Sequence, residues 1–392
     1  MKFFFVCSHQ IQNLIPLFIK LDKVKNLKTK IIYWEKLSKK HFDNEFKKNI
    51  DFGINLYKGY KYIALSKKIN TTSKIFTIKN KIKITLALLH FLQNNTFDVI
   101  VYHGYYFPNI VGAIYSKIIG KKTVIRSISY NIGKKNIFKI ILRNIYYRFS
   151  NLFFDEYWSV CSLNKKFFLD FGANKNKIYN LPSSQISRQF LTENKCKFEK
   201  KLNLIKKKNN LDLKKKFILF AGKFNKQKRP IFLIDSFIKA NLEDKWNLII
   251  VGGGGELHIE VINYLNQKKF NNIKYLGFKK LNEIVELYSI SEILVLPSDF
   301  GETHGNVLME AIQFNCSLMV SDRVGLHPEV RHFKMGKVFK ADSKADFIKN
   351  LKLLTNNNKL RNSFKNNGLK YSKNILPTFT ARKISNLLIK DK

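Results

Sequence analysis

Two successive series in which short strands alternate with helices predict an α/β protein of two doubly wound, Rossmann-like units, each a parallel sheet covered by helices. Three observations carry that expectation. Apolar runs of β type alternate with amphipathic helical stretches in both halves of the chain. The two series are of similar length within 392 residues, which fits two domains of about 100–200 residues each. Apolar residues make up 45% and aromatics 14%, with only 18 Gly and 7 Pro. That is enough apolar surface to offset chain entropy in two cores, and it excludes disorder of the whole chain.

In the first series, Lys2–Cys7, Thr29–Trp34, Tyr62–Leu65, Asp98–Tyr102 and Thr123–Ser127 read as strands. Ile82–Gln93, with Ile84, Leu88, Leu89 and Leu92 at helical spacing, and Asn109–Ile119 read as helices. The apolar run at the N-terminus stops at Ser8-His9-Gln10, too short for a signal-peptide core, so it reads as a buried strand. No stretch approaches the roughly 18–20 apolar residues of a spanning helix, so a soluble or peripheral protein is expected. In Lys134–Phe154, Lys135, Lys139 and Arg143 recur every four residues beside faces carrying Ile137, Phe138, Ile141, Leu142, Ile145, Tyr146 and Phe149. Such a helix suits an anionic bilayer surface, and equally the cover of a sheet.

Pro182-Ser183-Ser184 breaks the pattern near Leu181–Arg188, which divides the chain at 1–182 and 183–375. After the lysine-rich stretch Asn194–Lys216, strands are expected at Phe217–Ala221, Trp246–Val251, Ile273–Leu276, Ile293–Pro297, Ser317–Ser321 and Lys337–Phe339. Helices are expected at Pro230–Ala240, Glu256–Lys268, Leu281–Ile290, Val307–Phe314, Lys344–Asn356 and Leu360–Asn374. The four cysteines, Cys7, Cys161, Cys196 and Cys316, stand singly. A disulfide framework and a structural zinc site are therefore not expected, and a reducing cytoplasm is the default compartment.

The charge is extreme: 71 Lys and Arg face 28 Asp and Glu, a net +43. Residues 1–150 hold 28 basic and 6 acidic side chains, whereas residues 251–350 hold 12 of each. Nucleic acid, an anionic membrane and a lysine-rich background without function compete to explain the excess. The chain carries no helix-turn-helix, RNA-recognition or zinc-finger signature, so nucleic acid is not the expected partner; a basic nucleic-acid-binding protein stays as the alternative class.

In open parallel sheets, ligands bind at the carboxyl ends of the strands. Three such ends in the second half are informative. Val251 runs into Gly252–Gly255, which is either a tight turn or a backbone cradle for an anion, with Gly253 at its centre. Ala221 runs into Gly222-Lys223-Phe224-Asn225-Lys226-Gln227-Lys228, where Lys223 and Lys228 suit a diphosphate or are simply solvated. The segment Pro297–Ala311 places Glu302 and Glu310 eight residues apart around Gly305. Backbone N–H groups at Asn306 and Val307 could face a phosphate, with carboxylates on sugar hydroxyls; alternatively Glu302 caps the helix and Glu310 lies on the surface.

Strand-Gly222-Lys223-x4-Lys228, the Gly-rich turn with Glu256, Tyr275-Leu276-Gly277-Phe278, Pro297-Ser298 with E-x7-E, Val320-Ser321-Asp322 and Pro328-Glu329 follow one another in order. This ordered set resembles the C-terminal domain of retaining glycosyltransferases of family 4, over residues 217–332 and more weakly through Asp98–Gly104 and Tyr157–Leu181. The resemblance implies the GT-B fold, two Rossmann-like domains facing a central cleft, the first on the acceptor side. It implies a last helix, about residues 376–392, that crosses back onto the first domain. It also implies that Lys223 and Lys228 bind the diphosphate of a UDP- or GDP-hexose. Glu302 would lie by the donor sugar with Thr303, His304, Gly305, Asn306 and Val307 around it, Glu310 on the ribose and Phe278 at the base. His103, after Val101-Tyr102, matches the family's histidine near the reaction centre, and Arg126 is a further candidate. Lys223 departs from the family's arginine, Cys7-Ser8-His9-Gln10-Ile11 replaces its N-terminal glycine-rich loop, and Gly325-Leu326-His327 stands where two glycines are usual.

The implied acceptor is a saccharide or lipid-linked molecule of cell-surface polysaccharide or lipopolysaccharide synthesis, at the cytoplasmic side of a membrane. With no D-x-D sequence in the chain, neither a metal nor another cofactor is expected. A catalytically inactive GT-B binding module is the remaining alternative, and both glutamates and both lysines of the motif set argue against it.

Overall fold

In the computed structural model, residues 1–43, 48–50, 55–71, 76–130, 137–184, 186, 190–191, 198, 201–242, 245–268 and 270–390 are described. Lys135 and Cys196 lie outside them, as do parts of the expected boundary region and of the lysine-rich stretch that follows. The chain divides into one unit formed by Met1–Asn44, Lys48–Gln185 and Leu376–Lys392 and a second that runs from Ile186 to Ile375.

The first unit contains β1 (Lys2–Cys7), α1 (Ile15–Leu21), β2 (Lys28–Asp43), β3 (Lys48–Ile50), β4 (Tyr62–Thr71), α2 (Ile78–Gln93), β5 (Val99–His103), α3 (Phe107–Ile118), β6 (Lys122–Arg126), α4 (Ile137–Asn151), β7 (Glu156–Ser159), α5 (Ser162–Asp170) and β8 (Ile178–Asn180). Its sheet has the order β3-β2-β1-β5-β6-β7-β8, with β4 on β2. All pairs are parallel except β2 with β3. Strand β1 shows why it lies at the centre. Its successive residues point to opposite faces, and every one after Lys2 is buried. Phe4 and Val6 enter the core under α2 and α3, while Phe3, Phe5 and Cys7 enter the opposite core with Leu17 and Phe18 of α1.

The second unit contains α6 (Leu202–Lys208), β9 (Lys216–Gly222), α7 (Pro230–Ala240), β10 (Trp246–Gly252), α8 (His258–Lys268), β11 (Ile273–Tyr275), α9 (Leu281–Ile290), β12 (Ile293–Leu296), α10 (Asn306–Ala311), β13 (Ser317–Ser321), α11 (His327–His332), β14 (Gly336–Phe339), α12 (Lys344–Asn356) and α13 (Asn358–Ser372). Its six strands are all parallel, in the order β11-β10-β9-β12-β13-β14. Numbered from the first strand of the unit, that is 3-2-1-4-5-6, the doubly wound order of dinucleotide-binding sheets. The final helix, α14 (Pro377–Lys390), belongs to the first unit: Ala381, Ile384 and Leu388 enter the core that holds Phe5 and α1, and the Thr380 hydroxyl donates to the Pro182 carbonyl.

Several elements differ from the sequence-based expectation. Strand β2 continues to Asp43 because β4 pairs along it, although Glu35–Asp43 is too polar to show an apolar period. Helix α1 escapes notice because Pro16 reads as a breaker, whereas at the second helical position its missing N–H costs nothing. The expected helix Val307–Phe314 is α-helical only over Asn306–Ala311 and tightens to a 3-10 turn at Ile312–Phe314. Helix α8 begins at His258, two residues later than expected.

Arg361 of α13 is buried, and its guanidinium donates to the carbonyls of Leu354 (2.6 Å) and Thr355 (3.0 Å), the last turn of α12. It also meets the Asn358 side chain (2.9 Å) and Glu292 (3.3 Å), where Lys365 approaches to 2.7 Å. These two cations hold the Glu292 carboxyl below the usual carboxylate range despite its burial. Substitution Arg361→Leu leaves α12 uncapped, so urea unfolding should show a loss of about 3 kcal/mol; a change within about 0.5 kcal/mol, the size of a neutral surface substitution, would refute that role.

Candidate active site

In the second sheet the winding direction reverses between β9 and β12, the position at which doubly wound sheets hold their ligands. The β9 loop, residues 222–229, is folded by Asn225, whose side-chain oxygen accepts the Lys228 N–H (2.9 Å). The β12 loop is laid against it by a backbone bond from Asp299 N–H to the Gln227 carbonyl (2.9 Å). Lys228 and Glu302, 74 residues apart, then form an ion pair in which both side chains are largely buried.

Glu302 is held at two further points. Its other carboxylate oxygen accepts the Gly305 N–H (3.1 Å), and its carbonyl accepts the Gly325 N–H (2.8 Å). Gly305 sits at φ 70° as the N-cap of α10, a left-handed conformation that suits glycine. At Gly325 a Cβ would stand 1.9 Å from the Thr303 carbonyl oxygen. The loop after β13 therefore supports the Glu302 backbone through close contact that only glycine permits. Arg323 of the same loop bridges Asp299 and Asp342, tying the loops after β12, β13 and β14 together.

Glu310 is buried, so its place is not on the surface. It accepts a hydrogen bond from the Tyr288 hydroxyl of α9 (2.8 Å). Burial and this carboxylate push the Tyr288 phenol well above its ordinary pKa, so it remains a donor. Among the other expected site residues, Lys223 and Phe278 are half-buried at the ends of β9 and β11, Thr303 and Val307 are half-buried, His304 is buried and Asn306 is exposed.

The Gly-rich turn is tight rather than open. Gly252 N–H donates to the Gly277 carbonyl (2.9 Å), Gly253 N–H to Gly222 (3.4 Å) and Gly254 N–H to His258 Nδ1 (3.3 Å). The backbone N–H groups of Gly252 to Gly254 are thus spent inside the protein, and their glycines let β9 and β10 end in close contact.

In the first unit the corresponding reversal lies between β1 and β5. His103 ends β5 and Arg126 ends β6; both are buried, with the guanidinium 3.4 Å from His103 Nδ1. Burial, then the Arg126 charge, holds the His103 imidazole well below its ordinary pKa, so it is neutral at pH 7. Burial lowers the Arg126 guanidinium to about 10, which leaves it charged. Burial pushes the nearby Cys7 thiol up, away from thiolate reactivity. Cys7, Cys161 and Cys316 are all buried.

Asn225, Tyr288 and Arg323 carry the site without having been singled out for it by the sequence, whereas Gly325 stands out there only as the remaining one of two usual glycines. Asn225 lies inside the Lys223-x4-Lys228 spacing and Arg323 directly after Ser321-Asp322, but Tyr288 precedes Glu310 by 22 residues with no local signal.

The fold identifies the class: two Rossmann-like units, the second with an acid–lysine pair at the reversal of its sheet, have the architecture of the GT-B fold. Residues 203–371 match the family model described as glycosyl transferases group 1, so the second unit carries that domain. Over 161 residues the chain is 29% identical to the N-acetylgalactosamine-N,N'-diacetylbacillosaminyl-diphospho-undecaprenol 4-alpha-N-acetylgalactosaminyltransferase of Campylobacter jejuni, covering 40% of this chain and 42% of that protein. It is 27% identical to an uncharacterized 41.2 kDa protein of the cps region of Klebsiella pneumoniae over 62% of this chain and 65% of the relative. The chain thus spans less than two thirds of the length of these curated relatives. The crystal structure of Anabaena HepE with UDP and glucose superposes with a TM-score of 0.68 at 13% identity, covering 100% of both chains, which shows the shared fold.

Two expectations follow from the geometry. Gly325→Ala should lower Tm by several degrees and weaken whatever binds at Glu302; a variant as stable as the parent would show that the loop relaxes freely. The His103 ring should not titrate between pH 6 and 8 in NMR spectra of the folded protein. Because its folded pKa is depressed, its contribution to stability is present above the unfolded value of about 6.5 and is lost as pH falls below it.

Proposed function

We propose that the protein is a retaining, metal-independent hexosyltransferase of the family 4 kind. In this proposal it uses a UDP- or GDP-hexose and a saccharide or lipid-linked acceptor in cell-surface polysaccharide or lipopolysaccharide synthesis, at the cytoplasmic face of a membrane. The observation that carries it is the Lys228–Glu302 pair across the strand reversal of the second sheet. A relative named for a diphospho-undecaprenol-linked saccharide, and a relative from a cps region, support the choice of acceptor.

In the transfer, the bond from the anomeric carbon to the diphosphate oxygen breaks, and a bond to the acceptor oxygen forms on the same face of the sugar. Negative charge grows on the departing diphosphate. The Lys228 ammonium, with Lys223 on the same loop, stabilises that charge from a fixed position and so performs the part a metal would otherwise play. Glu302, held through its carboxylate and its carbonyl, receives the donor hydroxyls without reorganising, with the backbone of Thr303 to Val307 around them. Glu310, polarised by Tyr288, receives the ribose, and Phe278 with Gly222 and Gly253 bounds the nucleotide. His103 accepts a hydrogen bond as a neutral ring, and Arg126 supplies charge on the acceptor side.

A panel of nucleotide sugars in a thermal-shift assay tests donor class directly, since a ligand at about 100 times its Kd adds about 2.7 kcal/mol of stability. The cognate donor should raise Tm and its transfer should persist in EDTA. Lys228→Ala should reduce turnover by about 100-fold, with partial rescue in Lys228→Arg. Near-parental transfer by Lys228→Ala would remove the assignment.

A further inference from the structure

Helix α4 presents an apolar face that the first unit does not cover. Leu142, Ile145, Phe149 and Leu152, spaced by three, four and three residues along α4 and just past its end, are 51–71% exposed. The opposite side of the helix is firmly seated. Tyr147 packs on the rings of Tyr105, Phe167 and Phe171, each 4.9 Å away, and Arg143 lies over the same aromatic group. The Tyr146 hydroxyl donates to the Tyr105 carbonyl (2.9 Å) and the Asn151 amide to the Phe171 carbonyl (2.9 Å). The helix is therefore anchored along one stripe and turns the other outward, so the expectation that it merely covers the sheet fails for this face.

The charge around the face selects its occupant. Residues 101–150 contain nine Lys and Arg and no Asp or Glu, and Lys139 and Arg148 are exposed on α4 itself. A second copy would bring the same cations together, whereas an anionic lipid surface is complementary to them. At 15 residues the helix is about 22 Å long, too short to cross a bilayer and suited to lie in its interface. Among the described residues no helix is long and apolar enough to cross a membrane.

We infer that α4 is a membrane-docking element: it lies along an anionic bilayer with Leu142, Ile145, Phe149 and Leu152 in the headgroup–acyl boundary and Lys139 and Arg148 at the lipid phosphates. Resting on the glycosyltransferase reading above, this would place the chain where a lipid-linked acceptor resides.

The test is sedimentation of the full chain with vesicles of phosphatidylglycerol mixed with phosphatidylcholine, beside vesicles of phosphatidylcholine alone. Binding to the mixed vesicles should be about tenfold stronger at low salt and should fall as salt is raised. The combined change Leu142→Ser, Ile145→Ser and Leu152→Ser should abolish it with Tm unchanged, because all three side chains are exposed. Lys139→Gln with Arg148→Gln should weaken it several-fold. In Leu142→Trp, indole emission should shift to the blue on the mixed vesicles alone. Undiminished sedimentation of the serine variant, or a lipid-free dimer that the serine changes dissolve, would overturn the proposal. The donor-induced thermal shift, read on the same preparations, separates the two ideas: a shift that persists without docking sinks only the membrane element, and docking without any shift sinks only the transferase.

Discussion

Parallel pairing is the constraint from which the rest follows. A parallel strand cannot be joined to its neighbour by a hairpin; each connection crosses over a face of the sheet, and both faces become covered. When the crossovers change direction in the middle of a sheet, the two loops at that point go to opposite faces and cannot fill the space between their own strand ends. In the second unit this happens between β9 and β12, and the residues that meet there, Lys228 and Glu302, come from loops far apart in sequence. In the first unit it happens beside β5, whose last residue is His103.

What occupies such a gap depends on how firmly its loops are held. Around Glu302 the holding is dense: a lysine on one carboxylate oxygen, a backbone N–H on the other, and a second N–H on the carbonyl. Side-chain bonds from Asn225 and Arg323 fix the loops that supply them. In a chain this rich in lysine, charge alone distinguishes nothing. Lys208, for example, pairs with Glu286 in an exposed contact of the kind that contributes little. Lys228 differs by its burial, by an acid partner that two backbone N–H groups also hold, and by its position at the strand reversal.

Much of the architecture was legible in the sequence because buried parallel strands are short, apolar and bounded by glycine or polar turns. Strand β13 and helices α7, α9 and α12 have the bounds the pattern predicts. Strand β2 was cut short, since pairing with β4 rather than an apolar period sustains its polar second half. In the site, the motif order pointed to Lys228, Glu302 and Glu310. It could not show that Glu310 is buried against Tyr288, because that contact joins α9 to α10 across intervening strand β12. Nor could it show that the backbone amides of Gly252 to Gly254 are consumed by neighbouring carbonyls and a histidine, since a glycine run looks the same whether it cradles a ligand or another strand.

The return of α14 to the first unit has a consequence for the order of synthesis. The core that contains Phe3, Phe5 and Cys7 is also built from Ala381, Ile384 and Leu388, which are made after them. The whole of Ile186–Ile375 emerges between them. The second unit thus has all its strands available while the first still lacks a helix. During translation, the unit begun before the other can close its core only after the other has emerged.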